Sequence, residues 1–275
     1  YDRKKRQDNS NHNNFSPRIG VVYKHSNDFH LKLSYAESFV DPTYWNRQGN
    51  LPSFRGAVDL KPERLKSFQV TPSWQFFSSQ LNYQLNFFYN QVDDFIFQNL
   101  HAMEGEPIFN NAGNLTTFGH EHEITFAQHN WTLKFVGFFQ EVDSYERFNA
   151  TGNRVHNIPN RTSNIIWDKS WQYDIHTNLT LRYIGKQLSP VELKVNGEVV
   201  SDPFPGQGVD FSDPTNMINS TTLVDASITI PLTHNFDIQL SASNLFNSTY
   251  YQGGTTTHPY QQPGRWWQIK LSKQF

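Results

Sequence analysis

Cysteine is absent from the 275 residues, so neither a disulfide framework nor a thiolate metal site is available. Long apolar runs are missing too, and nowhere does the chain approach the ~18 consecutive apolar residues a transmembrane helix needs. Net charge is small, −2 at pH 7. With no interleaved basic and aromatic surface beside it, that balance excludes nucleic acid as a partner. No Gly-rich phosphate loop, nucleophile elbow, zinc signature or Ser/His/Asp order occurs. Helical periodicity of any length is also lacking.

Aromatic residues, by contrast, are plentiful: 23 Phe, 12 Tyr and 7 Trp make up 15% of a chain whose mean hydropathy is only −0.66. A carbohydrate-binding β-protein can be this aromatic, and so can a membrane barrel with aromatic girdles. Asn-x-Ser/Thr sequons at Asn114, Asn149 and Asn247 are what an Asn-, Ser- and Thr-rich chain produces by chance.

Gln80 to Gln98 separates these readings. Leu81, Tyr83, Leu85, Phe87 and Tyr89 are large and apolar or aromatic, whereas Asn82, Gln84, Asn86 and Asn90 are amides; only Phe88 breaks the alternation. Side chains alternate across a strand, so one face is greasy and the other wet. The pattern runs ten residues and continues through Phe95 and Phe97, about the length a tilted strand needs to cross a bilayer. Half of each such strand faces water, so a polar average composition is compatible with a membrane protein.

Segments of the same kind begin at Ile19, Phe29, Phe68, Ile124, Leu133, Arg161, Ile175, Val224, Phe236 and Trp267, for about eleven strands in all. Pro72 lies inside one of them and predicts a local irregularity. Short connections at 27–28, 79–80, 129–130, 171–173 and 234–235 alternate with long polar ones at 41–62, 99–116, 146–160, 187–221 and 247–264. Short turns on one side and long loops on the other mark an outer-membrane barrel, with turns periplasmic and loops outside.

Particular residues then carry a family resemblance. Phe15-Ser16-Pro17-Arg18, Tyr35-Ala36-Glu37 through Asp41-Pro42-Thr43, and Leu60-Lys61-Pro62-Glu63 occur in order. Asn111-Ala112-Gly113 with Gly119-His120-Glu121, Ile158-Pro159-Asn160-Arg161, Ser243-Asn244-Leu245-Phe246-Asn247, Pro263-Gly264-Arg265 and terminal Phe275 follow. Together they resemble the barrel of TonB-dependent outer-membrane receptors. The resemblance covers the back half of that architecture: an all-β, antiparallel transmembrane barrel segment of about eleven strands, out of the ~22 of such plugged barrels. The plug domain and the short TonB-contacting segment are absent from these residues. Residues 1–275 are thus expected to form the C-terminal portion of the barrel. The expected partners are the missing N-terminal plug and barrel half, the TonB complex acting through the plug, and outer-membrane lipid and lipopolysaccharide, whose phosphates the basic run Arg3 to Arg6 would meet.

For function, the resemblance implies active uptake of a scarce chelate, with a ferric siderophore foremost and haem, cobalamin or a carbohydrate open. The rival is a passive porin-like channel or adhesin of about a dozen strands, complete as it stands. An outer-membrane protease or lipase would have to recruit Asp93, Asp94 and loop histidines with no partner of fixed geometry, so no enzymatic activity and no cofactor are expected. Aromatic and Arg side chains in the outer loops suit a planar, anionic chelate: Tyr44, Trp45, Arg47 and Arg55; Tyr145 and Arg147; Tyr250, Tyr251, His258 and Tyr260. The wet faces direct His30, Lys32, Gln69, Asn82, Gln84, Asn86, Glu121, Glu123, Lys134 and Arg182 to the lumen and plug. His120 and His122 share a face with Ile124 and Phe126, which turns them toward lipid at the outer interface rather than into a metal site. Asp202, Asp210 and Asp213 match no calcium-loop spacing. Phe275 reads both as a barrel-assembly signal and as a lipid-facing aromatic.

Overall fold

The computed structural model describes residues 2–5, 11–51, 54–98, 105–147, 150–152, 158–188, 193–195, 198–201, 217–233, 235–252 and 260–273. The sequence alternation becomes one antiparallel sheet. Its strands are β1 (Arg18–Lys24), β2 (Phe29–Val40), β3 (Glu63–Phe76), β4 (Leu81–Gln98), β5 (Phe109–Gln128) and β6 (Trp131–Arg147). They continue as β7 (Arg161–Ser170), β8 (His176–Ile184), β9 (Thr221–Thr233), β10 (Phe236–Ser243) and β11 (Trp266–Lys273). Each pairs only with its neighbours in the chain, and Ala150–Gly152 adds a short extension to β6. A five-residue helix, α1 (Tyr44–Gln48), sits in the loop after β2 and is capped by Thr43, whose side chain accepts the Asn46 N–H.

The eleven strands form an open arc: β1 and β11 do not pair with each other. Both edges are bare, with Ile19 65%, Trp267 64% and Ile269 70% exposed. Unpaired edges of this kind are untenable in hydrocarbon. A complete dozen-stranded barrel, the rival reading of the sequence, therefore has no support in these residues.

Register sorts the side chains onto two faces. On the outer face Phe29, Trp74 and Tyr83 form one row across β2, β3 and β4 near the short turns. Their rings lie 5.5 Å and 5.3 Å apart, centroid to centroid. Tyr35, Phe68, Tyr89 and Phe118 form a second row across β2 to β5, nearer the long loops. The next row up is polar: Glu37, Lys66, Gln91 and Thr116. Lys66 there pairs with Asp93 at 2.9 Å. Two aromatic rows bounded by a polar one delimit an apolar belt facing lipid.

Two irregularities matter. Pairing of β3 with β4 lapses at Thr71 and Pro72 but resumes in the same register, and Leu31 still pairs with Pro72 on the other side. The proline removes a rung without a bulge. The register does shift between Val92 and Phe95 and again between Phe95 and Ile96, with Asp94 in the left-handed region at φ 57°. The simple alternation through Phe95 and Phe97 thus ends at this bulge.

Candidate functional site

The residues expected from sequence to line the lumen share one face of the sheet, opposite the aromatic rows, because the ladder places them in common rows. His30 is in line with Ser73, Gln84 and Glu123; Lys32 with Thr71, Asn86 and Glu121. Many are already engaged. The Thr71 hydroxyl donates to Asn86 Oδ1 (2.8 Å), Asn86 Nδ2 donates to Glu121 (3.0 Å), and Lys134 pairs with Glu123 at 2.7 Å. Gln69 donates weakly to Ser67, and Asn82 donates to the Ser79 carbonyl in the turn below. Arg182 donates through Nε to Asp225 at 2.6 Å, while His30, Lys32 and Gln84 stand exposed. Near the short turns the inner wall also carries a polar recess of about 360 Å³, lined by Thr132, Asp168, His176, Asn178, Ser227 and Gln239.

Phe88, the one exception to the alternation, is also on this wet face. Its ring is 8% exposed and stacks on Phe138, with centroids 5.7 Å apart. Gly119 lies opposite it and leaves the space the ring fills. The parity break was the only sequence signal for this pair.

At the outer mouth two distant motifs meet. Asn111 accepts the Lys61 N–H through Oδ1 (2.7 Å) and donates through Nδ2 to the carbonyls of Lys61 (3.0 Å) and Asp94 (2.6 Å). Glu63 accepts the Ile96 N–H at 2.7 Å. Leu60, Ile108 and Phe109 form a small core beneath, with Ala57 and Ile96 against it. The 41–62 and 105–111 stretches are therefore one module. Replacing Asn111 by alanine removes three hydrogen bonds to backbone groups, two exposed and one half-buried, each contributing about 0.5–1.5 kcal/mol. The expected readout is faster hydrogen exchange at Lys61 and within 105–111, with the strands of the sheet unaffected.

The residues expected to touch ligand divide on inspection. Tyr44 and Trp45 of α1 are 62% and 56% exposed on top of this module. Arg47 instead donates through Nε and a terminal nitrogen to the Val58 carbonyl, and Arg55 donates to the Glu106 carbonyl at 2.6 Å. Both guanidinium groups brace the loop. Tyr145 and Arg147 lie at the outer end of β6, and their side chains are outside the described residues. Tyr251 and Tyr260 are exposed on a two-stranded hairpin between β10 and β11, with Tyr250 half-buried beside it; His258 is outside the described residues. That hairpin belongs to one end of the arc and the α1 module to the other. Asp202, Asp210, Asp213, Arg6 and Phe275 also fall outside the described residues, and of Arg3 to Lys5 only the backbone is described.

His120 and His122 do face outward. His122 accepts or donates a 2.9 Å bond with the Tyr83 hydroxyl, and His120 stacks on Phe139. Among the described residues no group of three metal-ligating side chains occurs.

Comparison with known proteins places this geometry. The family model described as TonB dependent receptor-like, beta-barrel matches residues 1–245. The vitamin B12 transporter BtuB of Vibrio vulnificus is 23% identical over 94% of this chain and 36% of its own length. Among solved structures, the FrpB iron transporter from Neisseria meningitidis superposes with a TM-score of 0.72 at 14% identity, over 99% of this chain and 41% of that one. The ferripyoverdine receptor of the Pseudomonas aeruginosa outer membrane superposes at 0.70 and 16% identity, over 94% and 32%. The chain spans about a third to two-fifths of the length of these proteins.

Proposed function

The chain belongs to the TonB-dependent receptor β-barrel family and is an outer-membrane β-barrel protein, and from that premise we propose that it is the C-terminal arc of an active importer of a scarce chelate, foremost a ferric siderophore. The observation that carries the reading is the open arc itself, with a continuous hydrogen-bonding inner wall and two bare edges. Such a wall suits a plug that slides along it, and such edges suit further strands of the same polypeptide. The plug would take its energy from TonB. Siderophore chemistry is favoured because exposed aromatics, Tyr44 and Trp45, crown the α1 module and suit stacking on a planar chelate.

In this reading Tyr44 and Trp45 contact the chelate, while Arg47 and Arg55 hold the platform. Tyr145, Arg147, Tyr250, Tyr251, His258 and Tyr260 are the corresponding contacts from the other loops. The test is binding of a panel of ferric siderophores, haemin and cobalamin to the full-length receptor, with growth of a deletion strain on each as sole iron or vitamin source. Trp45→Ala is expected to raise the Kd for the cognate chelate about five- to thirtyfold with the barrel still folded, since stacking over an aromatic face contributes about 1–2 kcal/mol. Uptake of cobalamin alone would overturn the siderophore assignment, and diffusion of small solutes without TonB would overturn the importer.

A further inference from the structure

The polar recess of about 360 Å³ lies at the short-turn end of the inner wall, the periplasmic end of an outer-membrane barrel. Two rungs of the ladder build it. Thr132, Asp168, Asn178 and Ser227 share one rung across β6 to β9. Ser170, His176, Thr229 and Gln239 share another across β7 to β10, nearer the turns. Four strands set about 4.8 Å apart make each rung roughly 14 Å long. All eight side chains carry a hydrogen-bonding group.

Their own bonds use only part of that capacity. Asn178 Nδ2 donates to Asp168 Oδ1 at 2.8 Å, the Thr180 hydroxyl donates to Asn178 Oδ1 at 3.2 Å, and the Ser170 hydroxyl meets His176 Nδ1 at 3.0 Å. The second Asp168 oxygen, His176 Nε2, the hydroxyls of Thr132, Ser227 and Thr229, and the Gln239 amide are left to face a ligand. Asp168 makes no ion pair among the described residues. An unpaired carboxylate among neutral groups repels phosphates and anionic chelates, and it accepts from hydroxyl and amide N–H donors.

The turn from β7 to β8, between Ser170 and His176, carries Tyr173 at its tip. Tyr173 is 84% exposed, and it and Asp174 are left-handed at φ 62° and 53°. A bulky aromatic at positive φ is an outlier where Asn or Gly would sit without strain, and such strain persists where function uses it. No bond or ring contact among the described residues engages this side chain. We infer that the recess and Tyr173 together bind a neutral polysaccharide rich in hydroxyl and N-acetyl groups, the chemistry of the murein glycan strand in the periplasm. The C–H face of a sugar ring lies on the tyrosine. Its hydroxyl and acetamido groups meet Asp168, His176, Gln239 and the hydroxyls, along rungs longer than one sugar ring. The site depends on membrane orientation alone, so it stands or falls separately from the imported cargo.

The test is cosedimentation of the full-length receptor in detergent with purified murein sacculi, with cross-linked dextran as the comparison particle. The wild type is expected to bind sacculi about fivefold or more over dextran, and soluble chitotetraose is expected to compete. Tyr173→Gly lowers sacculus binding about fivefold. Glycine also relieves the left-handed backbone, so the urea midpoint of that variant stays at or above wild type and misfolding is not the cause. Asp168→Ala weakens binding as well. Phe77→Ala, at another short turn where the ring is 71% exposed, leaves it unchanged. Equal binding to both particles overturns the proposal, as does a Tyr173→Gly protein that binds as wild type. Loss of binding in Phe77→Ala overturns it too, because any exposed turn aromatic then suffices. Chitotetraose that fails to compete would assign the contact to the peptide stems, and a recess filled by the plug would give no binding at all; either result overturns it.

Discussion

Valine in place of Gly119 is expected to lower the folding equilibrium constant of the barrel about tenfold or more. Gly119 pairs with Phe88 on β4 and Gln140 on β6. A Cβ built there falls against the Phe139 carbonyl oxygen, and within 2.7 Å of Phe88 Cζ and 2.9 Å of Gln140 Cα. The ring can turn aside, but the carbonyl and the Cα belong to the ladder. Overpacking of this kind costs about 1–3 kcal/mol or more, and 1.4 kcal/mol is already about tenfold in an equilibrium. Gel mobility before and after heating, on outer-membrane fractions carrying the full-length protein, reads the folded fraction. The double variant Gly119→Val with Phe88→Ala discriminates the cause. No rescue is expected, because the backbone clash persists. Recovery of the folded form would mean the ring alone forbids a side chain there.

The second large effect is expected at Asn244. Its side chain is 3% exposed and closes the turn after β10: Nδ2 donates to the Ser248 carbonyl (2.8 Å) and Oδ1 accepts the Ser248 N–H (2.9 Å). Its own N–H donates to Asp225 Oδ1 at 2.9 Å, the carboxylate that also holds Arg182. The residue sits at φ 50°, a left-handed conformation that Asn tolerates and alanine adopts at a cost of about 1–2 kcal/mol. Adding the lost side-chain bonds at about 1 kcal/mol each, Asn244→Ala is expected to destabilise the C-terminal hairpin by about 3 kcal/mol. Glycine at this position relieves the backbone without restoring the bonds, so Asn244→Gly belongs between alanine and wild type. Urea midpoints of the full-length protein in micelles give the ranking; alanine matching wild type would contradict this account of the turn.

The eleven strands were legible because a membrane barrel writes its two faces as strict alternation, and 17–20-residue strands such as β5 and β6 repeat that signal many times over. The places it failed have local causes. Phe88 broke parity because its space comes from a glycine on the next strand, which no single segment reveals. The phase after Val92 was unreadable because one left-handed Asp94 resets it. The motifs Leu60-Lys61-Pro62-Glu63 and Asn111 read as family marks, yet their physical role, a side chain standing in for a ladder partner fifty residues away, needed coordinates. For Arg47 and Arg55 too, composition could not show that each guanidinium donates to a backbone carbonyl of its own loop module, that of Val58 and that of Glu106.

The strict chain-order meander also constrains how such a sheet can change over time. Since every strand touches only those before and after it, a hairpin can be duplicated or deleted as a unit and the remainder keeps its orientation. Losing a single strand would send each later loop to the opposite compartment and turn the charges of the inner wall out into oil. Growth and shrinkage of this wall therefore come in even steps, and diversity is left to the loops.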